Sequence, residues 1–318
     1  MLSIVIPVFD ENPSLAELHR ELAATADRER LDVEIIFVDD GSRDGSWETV
    51  CDLAGRDRRV RGLRLRRNFG KAAALSAGFR AARGELVQTL DADLQDDPNE
   101  IPRFLEQIKS GLDVVSGWKK VRLDPWHKVW PSRVFNWLVG WLTGVRLHDH
   151  NCGMKCYRAA VFREVRLYGE MHRFIPVLAA ARGFRVGEIV IHHRPRRHGR
   201  SKYGARRFMK GFLDLLTIKF LTSFSHRPQH FLGSIGLVFM FLGSAGLIWL
   251  LITWLVRLWA PDAFPPVHER ALPIYSLAAL LLGVQLLSMG FLAELLTAFR
   301  GRDEDNYSIS EQTGPPAE

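Results

Sequence analysis

Cysteine is scarce in this chain. Cys51, Cys152 and Cys156 are the only three in 318 residues, too few for a disulfide framework and suited to a reducing cytoplasm. There is no GxxxxGK[ST], and no GxGxxG follows the first strand, which disfavours P-loop phosphotransfer and dinucleotide redox chemistry. No internal repeat at a period of roughly 20–50 residues is visible, and no low-complexity tract beyond a polar tail after about Arg302. The opening MLSIVIPVFDE lacks a basic n-region and reads as a first strand, not a signal segment. Acid is missing from His192–Lys210, where eight Lys or Arg account for the local excess behind a formal charge of +7. Such a cluster suits phosphate, nucleic acid or anionic lipid. Charge of either sign is missing from Phe231–Val256 and from Ala271–Ala293.

Those last two runs are long enough to span a bilayer as helices. Trp249, Trp254, Trp259 and Tyr275 gather toward the short Pro-rich loop between them, as interfacial aromatics do. Basic residues before the first run and Arg300 and Arg302 after the second predict a hairpin with both flanks in the cytoplasm. Between Arg206 and Phe224, basic and apolar residues alternate at helical spacing, predicting an amphipathic helix on the membrane surface.

Residues 1 to about 190 alternate apolar strands with helical stretches. LSIVIPVF, VEIIFVDD, VRGLRLRR and ELVQTLDAD read as strands; Pro13–Ala26, GSWETVCDLAG and KAAALSAGFRAAR read as helices. Continuous apolar strands separated by helices predict an α/β domain with a mostly parallel sheet covered on both faces. Ligands of such sheets sit outside the carboxyl ends of the strands. Asp10/Glu11, Asp39/Asp40 and Asp91/Asp93 all fall at such ends. The carboxylates of Asp91 and Asp93, with Gln95, suit Mg²⁺ or Mn²⁺ more than zinc. Magnesium takes few protein carboxylates and completes its shell with water and substrate phosphates, so the pattern predicts a metal-bridged diphosphate. Asp39 and Asp40 are able to accept hydrogen bonds from a base or ribose, or to cap the helix that follows. His148, His150, Cys152 and Cys156 do not have a common structural-zinc spacing.

SIVIPVFDE, IIFVDDGSRDGSW, RNFGKAAALSAGF and TLDADLQDDP resemble the nucleotide-sugar half of a family 2 glycosyltransferase of GT-A fold. GWKKVR, SRVFN, HDHNCGMKCYR and HGRSKYG, followed by two apolar runs, are similar to the polyprenyl-phosphate glycosyltransferases, among them undecaprenyl-phosphate glucosyltransferases and dolichyl-phosphate mannose synthases. The resemblance implies that Pro7, Phe9, Glu11, Val38, Asp39, Asp40, Lys71, Asp91 and Ala92 bind the nucleotide sugar. Phe9 stands where many relatives have Tyr. The divalent ion would lie on Asp91, Asp93 and Gln95. Lys119, Lys120, Arg122, Arg133, Arg200, Ser201 and Lys202 would hold the acceptor phosphate, since Arg and Lys give charge-assisted bonds to it. Asp149 would be the base or would orient the acceptor, with Asp93, Arg133, Arg200 and Lys202 beside it in catalysis.

The expected plan is a cytoplasmic catalytic domain over 1–205, a juxtamembrane region over 206–230, a transmembrane hairpin over 231–299 with spans about 231–258 and 271–296, and a tail over 300–318. The expected reaction is inverting transfer from a nucleotide sugar, UDP-glucose favoured, to undecaprenyl phosphate at the inner membrane. A GDP-mannose-dependent mannose synthase is the nearest alternative. A processive polysaccharide synthase, a nucleotidyltransferase and an inactive membrane scaffold are further ones. Expected partners are the nucleotide sugar, the lipid phosphate and the bilayer, without nucleic acid. Self-association, with a tetramer implied by the family, is suggested by Gly233, Gly236, Gly243 and Gly246 on the first run.

Overall fold

A computed structural model describes residues 1–120, 126–165, 171–194 and 228–300, together with 215 and 217. The chain divides into two compact units, Met1–Lys219 and Phe220–Glu318.

The first unit is built on a seven-stranded sheet of order β3-β2-β1-β4-β6-β5-β7. β1 (Leu2–Val8), β2 (Val33–Asp39), β3 (Val60–Arg64) and β4 (Leu86–Thr89) are mutually parallel, with Leu2 opposite both Val33 and Leu86. β1 and β2 read as nearly unbroken apolar runs because both faces of the sheet are covered. Helices α1 (Asn12–Arg28), α2 (Ser46–Arg56) and α4 (Ile101–Lys109) cover one face through Leu15, Leu18, Leu22, Leu53 and Phe104. Helices α3 (Lys71–Ala81), α6 (Ala160–Glu164) and α7 (Ile175–Ala181) cover the other through Leu75, Phe79, Val161 and Ile175. Each such fully buried side chain contributes about 1.5–3 kcal/mol. Gly78 lets α3 settle directly on Val5 and Val38, where a Cβ would overlap.

The sheet is mostly parallel, as the strand pattern predicts, with one reversal. β6 (Lys155–Arg158) runs antiparallel to both β4 and β5 (Val114–Trp118), and β7 (Val186–Val190) closes the edge parallel to β5. Four residues led by a lysine carry no strand periodicity, so β6 is set by its two neighbours. Strand order reverses direction between β1 and β4, which opens a crevice at their carboxyl ends. An 18-residue helix, α5 (Trp126–Thr143), precedes β6.

The second unit is a helical hairpin of α8 (Pro228–Trp259) and α9 (Leu272–Arg300). The apolar stretches Gln229–Trp259 and Leu272–Leu295, 31 and 24 residues, exceed ~30 Å at ~1.5 Å per residue. Phe241, Leu242, Leu251, Leu281 and Leu292 point outward, more than half exposed. Gly236, Gly243 and Gly246 of α8 face its partner helix. A Cβ on Gly236 would lie 2.8 Å from the Gly283 carbonyl, and one on Gly243 would lie 2.6 Å from the Leu280 amide. Gly246 likewise abuts Ser276. These three glycines pack the hairpin itself. Apart from 215 and 217, the amphipathic stretch expected over 206–224 lies outside the described residues, as does the tail over 301–318.

Candidate active site

Three acidic strand ends meet at the crevice, and each has a different local task. Asp39 closes β2; its Oδ1 accepts the Ser42 amide at 3.1 Å and its Oδ2 lies 3.3 Å from Nε of Arg64. Asp40 accepts the amides of Phe69 and Gly70 at 2.7 and 2.9 Å, which shapes the turn leading into α3. Burial pushes the Asp40 carboxyl above its ordinary range, against the pull of those two amides. Asp10 has φ 51° and accepts the Arg43 amide at 2.9 Å, while the Glu11 amide donates to Ser46 at 3.1 Å. The loops after β1 and β2 thus brace each other. Pro7 and Phe9 are half-buried at this edge. Val38 is fully buried against α3, so its side chain lines the core and not the crevice.

After β4 the chain turns sharply through Asp91, Ala92 and Asp93, with Leu94 at φ 61°. Ala92 is buried in the core. Asp93 is 8% exposed and accepts the Gln95 amide at 3.2 Å. Lys71, the first residue of α3, donates to Asp91. Burial opposes ionisation of Asp91, but the Lys71 ammonium outweighs it and holds the carboxyl down to about 2. Asp96 is fully buried, 2.9 Å from Nζ of Lys119. Burial pulls that ammonium down, yet the Asp96 charge keeps it well above the ordinary lysine value. Lys119 therefore turns inward, onto a carboxylate, and Lys120 is exposed with its ammonium 5.8 Å from the Trp118 ring.

The segment His148–Met154 crosses the same crevice from the far side. Gly153 rests on the Asp91 carboxylate: a Cβ there would lie 2.5 Å from Cγ. Thr89, closing β4, donates to the Gly153 carbonyl at 2.7 Å. Asp149 is buried; its Oδ1 accepts the Asn151 amide at 3.1 Å, and Asn136 of α5 donates to the His148 carbonyl at 2.7 Å. His148 stacks on Trp118 with ring centroids 3.9 Å apart and pairs with Glu188 of β7. His150 is buried, and burial with the adjacent Lys155 charge lowers it to about 3, so it is neutral. Arg133 is exposed on α5. Arg122, Arg200, Ser201 and Lys202 lie outside the described residues. The chain approaching the last three is anchored beside the acidic turn: the Arg194 amide donates to the Gln95 carbonyl at 3.0 Å and its guanidinium pairs with Glu21 and Asp97.

Sequence reasoning passed over Lys155, Gly153, His172 and Arg173. On a 3-10 turn (Met171–Phe174), Arg173 is buried and the half-buried His172 feels the charges of Lys71 and Asp91. No sequence signal marked Lys155, since KCYR has neither alternation nor an apolar run. Among the described residues no three His, Cys, Asp or Glu side chains converge as a metal cage. Asp91 and Asp93 fit a hard cation that takes few protein carboxylates and completes its shell with diphosphate and water.

Residues 3–167 match the family described as Glycosyl transferase family 2. The chain is 38% identical over 98% of its length, and 92% of the relative's, to the dodecaprenyl-phosphate galacturonate synthase of Rhizobium johnstonii. It is 42% identical over 74% of its length, and 68% of the relative's, to the undecaprenyl-phosphate 4-deoxy-4-formamido-L-arabinose transferase of Pseudomonas fluorescens. In fold it is similar to the glucosyl-3-phosphoglycerate synthase of Mycobacterium tuberculosis crystallised with Mn²⁺, UDP-glucose and phosphoglyceric acid, at TM-score 0.55 and 16% identity over 69% of this chain and 79% of that one. The chain is a glycosyltransferase of GT-A-like fold and belongs to glycosyl transferase family 2.

Proposed function

We propose that this enzyme transfers a sugar from a nucleotide sugar to the phosphate of a polyprenyl phosphate at the membrane surface. The observation that carries this reading is one chain holding both an acidic strand-end crevice and an apolar hairpin of spanning length. A soluble acceptor would need no hairpin; a lipid acceptor is presented where a hairpin holds the enzyme. Relatives named for polyprenyl-phosphate sugar transfer support it, one of them along 98% of the chain. In this reading the catalytic domain spans 1–205, the juxtamembrane region 206–230 and the hairpin 231–299, with the catalytic domain on the cytoplasmic side of the inner membrane.

For the donor, UDP-glucose yields to a galacturonate-type sugar. The relative matching along nearly all of this chain is named for galacturonate. The buried cation Arg173, next to a His172 that feels the charges of Lys71 and Asp91, suits a sugar that carries a carboxylate.

Asp91, Asp93 and Gln95 would hold Mg²⁺ or Mn²⁺, which supplies charge neutralisation for the departing diphosphate. Lys71 lies where it is able to exchange Asp91 for a donor phosphate oxygen. Lys120 and Arg133, with Lys119 behind Lys120 and with Arg122, Arg200, Ser201 and Lys202, take the acceptor phosphate. A phosphate monoester carries about 1.5–2 negative charges at pH 7, so it attacks the anomeric carbon without first losing a proton. Asp149 then orients the acceptor and is not required as a base. Attack from the face opposite the leaving group inverts the anomeric centre.

The test uses purified enzyme in proteoliposomes with undecaprenyl phosphate, Mn²⁺ and a panel of radiolabelled nucleotide sugars, counting label extracted into organic solvent. Lipid label from UDP-galacturonate, lost in Asp93→Asn, is the expected result. No lipid label from any donor, with donor binding intact, overturns the reading.

A further inference from the structure

Lys155 is 3% exposed at the head of β6, and its ammonium is spent on backbone, not on a carboxylate. It donates to the His150 carbonyl at 3.1 Å and to the Cys152 carbonyl. Both carbonyls belong to the segment that carries Asp149 and seats Gly153 on Asp91. Burial draws the Lys155 ammonium below its ordinary pKa, with the nearby Cys152 and Asp149 opposing that pull. Keeping a lysine there is costly unless its donors are all used.

The restraints on this segment come from α5, through Asn136, and from four strands. Glu188 of β7 accepts the His148 amide at 2.8 Å, and Ser116 of β5 donates to the Asp149 carbonyl at 3.4 Å. Thr89 of β4 donates to Gly153 at 2.7 Å and reaches the Lys155 carbonyl at 3.3 Å. Between Asp149 and Gly153, Lys155 takes the carbonyls of His150 and Cys152, while Asn136 of α5 accepts the His150 amide at 3.4 Å. The two ends do different work in the proposed reaction: Asp149 faces the acceptor, and Gly153 limits where Asp91 sits.

We propose that Lys155 is a positioning residue that fixes the Asp149 segment against the Asp91 turn, setting the geometry between acceptor and donor without touching either. This rests on the proposed lipid-phosphate transfer for the role of Asp149, but not for the clamp itself. A buried point charge with rotatable donors satisfies two carbonyls that converge from different directions, and a neutral side chain of the same length leaves both unpaired.

The experiment compares the full-length enzyme with Lys155→Met, Lys155→Arg and Thr89→Val, the last being nearly isosteric and removing a different restraint on the same segment. Backbone hydrogen exchange is followed by mass spectrometry, and lipid-label kinetics are measured with varied undecaprenyl phosphate. Donor affinity is titrated without acceptor. In Lys155→Met, exchange in the 148–154 peptide rises about tenfold or more while β1 and β2 stay protected, kcat/KM for the lipid phosphate falls at least about tenfold, and donor Kd stays within about threefold. Lys155→Arg restores part of the acceptor kinetics, and Thr89→Val shows the same pattern in milder form. Unchanged exchange over 148–154 in both Lys155→Met and Thr89→Val overturns the clamp. So does a loss of donor and acceptor parameters in equal measure that Arg does not relieve. Should Lys155→Met fail to fold, Lys155→Gln, shorter and uncharged, takes its place and is judged by the same readouts. If wild type labels no lipid, the transfer reading fails, and the exchange data still judge the clamp.

Discussion

The Cα of Gly153 lies against the Asp91 carboxylate so closely that a Cβ would sit 2.5 Å from both Cγ and Oδ2. No φ excludes a side chain at this position; the obstacle is the carboxylate alone. Gly153→Ala is therefore expected to displace Asp91 and weaken donor binding with Mn²⁺ by about tenfold or more, the equivalent of 1.4 kcal/mol. Gly55→Ala is the control, because nothing lies within 4 Å of its Cβ and it sits inside α2. It should raise stability by about 0.5–1 kcal/mol and leave binding alone. Calorimetric titration beside thermal melts reads both.

Lys71 holds Asp91 ionised down to about pH 2 against burial. Removing that charge lets burial dominate, so the Asp91 carboxyl in Lys71→Met titrates at higher pH. The acid limb of the kcat/KM profile should then move upward in Lys71→Met relative to wild type, with activity lost sooner as pH falls. An unmoved acid limb contradicts this assignment.

Asp93→Asn keeps shape and removes charge at an 8% exposed position. Loss of one metal-side carboxylate is expected to reduce transfer by roughly 10²-fold or more, and raised Mn²⁺ should restore part of it. Rates over a Mn²⁺ series for both proteins make the comparison.

Glu34 sits on β2, far along the strand from the crevice, and accepts from Ser3, the Arg83 amide and Arg61. Burial raises its pKa, but these three donors together bring it below the ordinary 4.5. A depressed folded value means stability that is present above about pH 4.5 and lost as pH falls through the folded value. Glu34→Gln should cost about 1–3 kcal/mol at pH 7, with the gap to wild type narrowing in acid. Melts of the two proteins from pH 7 to pH 3 test the sign.

Gly243 and Gly233 lie on the same helix in different surroundings. A Cβ at Gly243 meets the Leu280 amide at 2.6 Å and the Ser276 carbonyl at 2.7 Å, whereas at Gly233 it meets only the Gln229 side chain. Gly243→Leu is expected to push the hairpin helices apart at a cost of about 1–3 kcal/mol, and Gly233→Ala to be tolerated. Thermal melts in detergent distinguish them.

Much of the catalytic unit is legible in one dimension. LSIVIPV and VEIIFVD announce buried parallel strands because each is apolar throughout, and Leu15, Leu18 and Leu22 announce α1 by spacing. DADLQ announces an oxygen-rich site because acids at a strand end are costly unless a cation meets them. β6 was hidden, since KCYR has neither alternation nor an apolar run, and only pairing with β4 and β5 makes it a strand. Lys119 looked like a phosphate ligand in GWKK, and its inward turn onto Asp96 depends on a residue 23 positions earlier.

Periodicity, strand-end acids and uncharged runs depend on neighbours in sequence, so the sequence by itself determined the α/β sheet, the acidic crevice and the apolar hairpin. Which charges cancel depends on neighbours in space. Only the tertiary structure decided that Lys71 meets Asp91, that Lys155 donates into the Asp149 segment, and that Gly236, Gly243 and Gly246 are used within the hairpin. Such pairs are joined by packing across strands and helices, and the distance between them along the chain carries no trace of it.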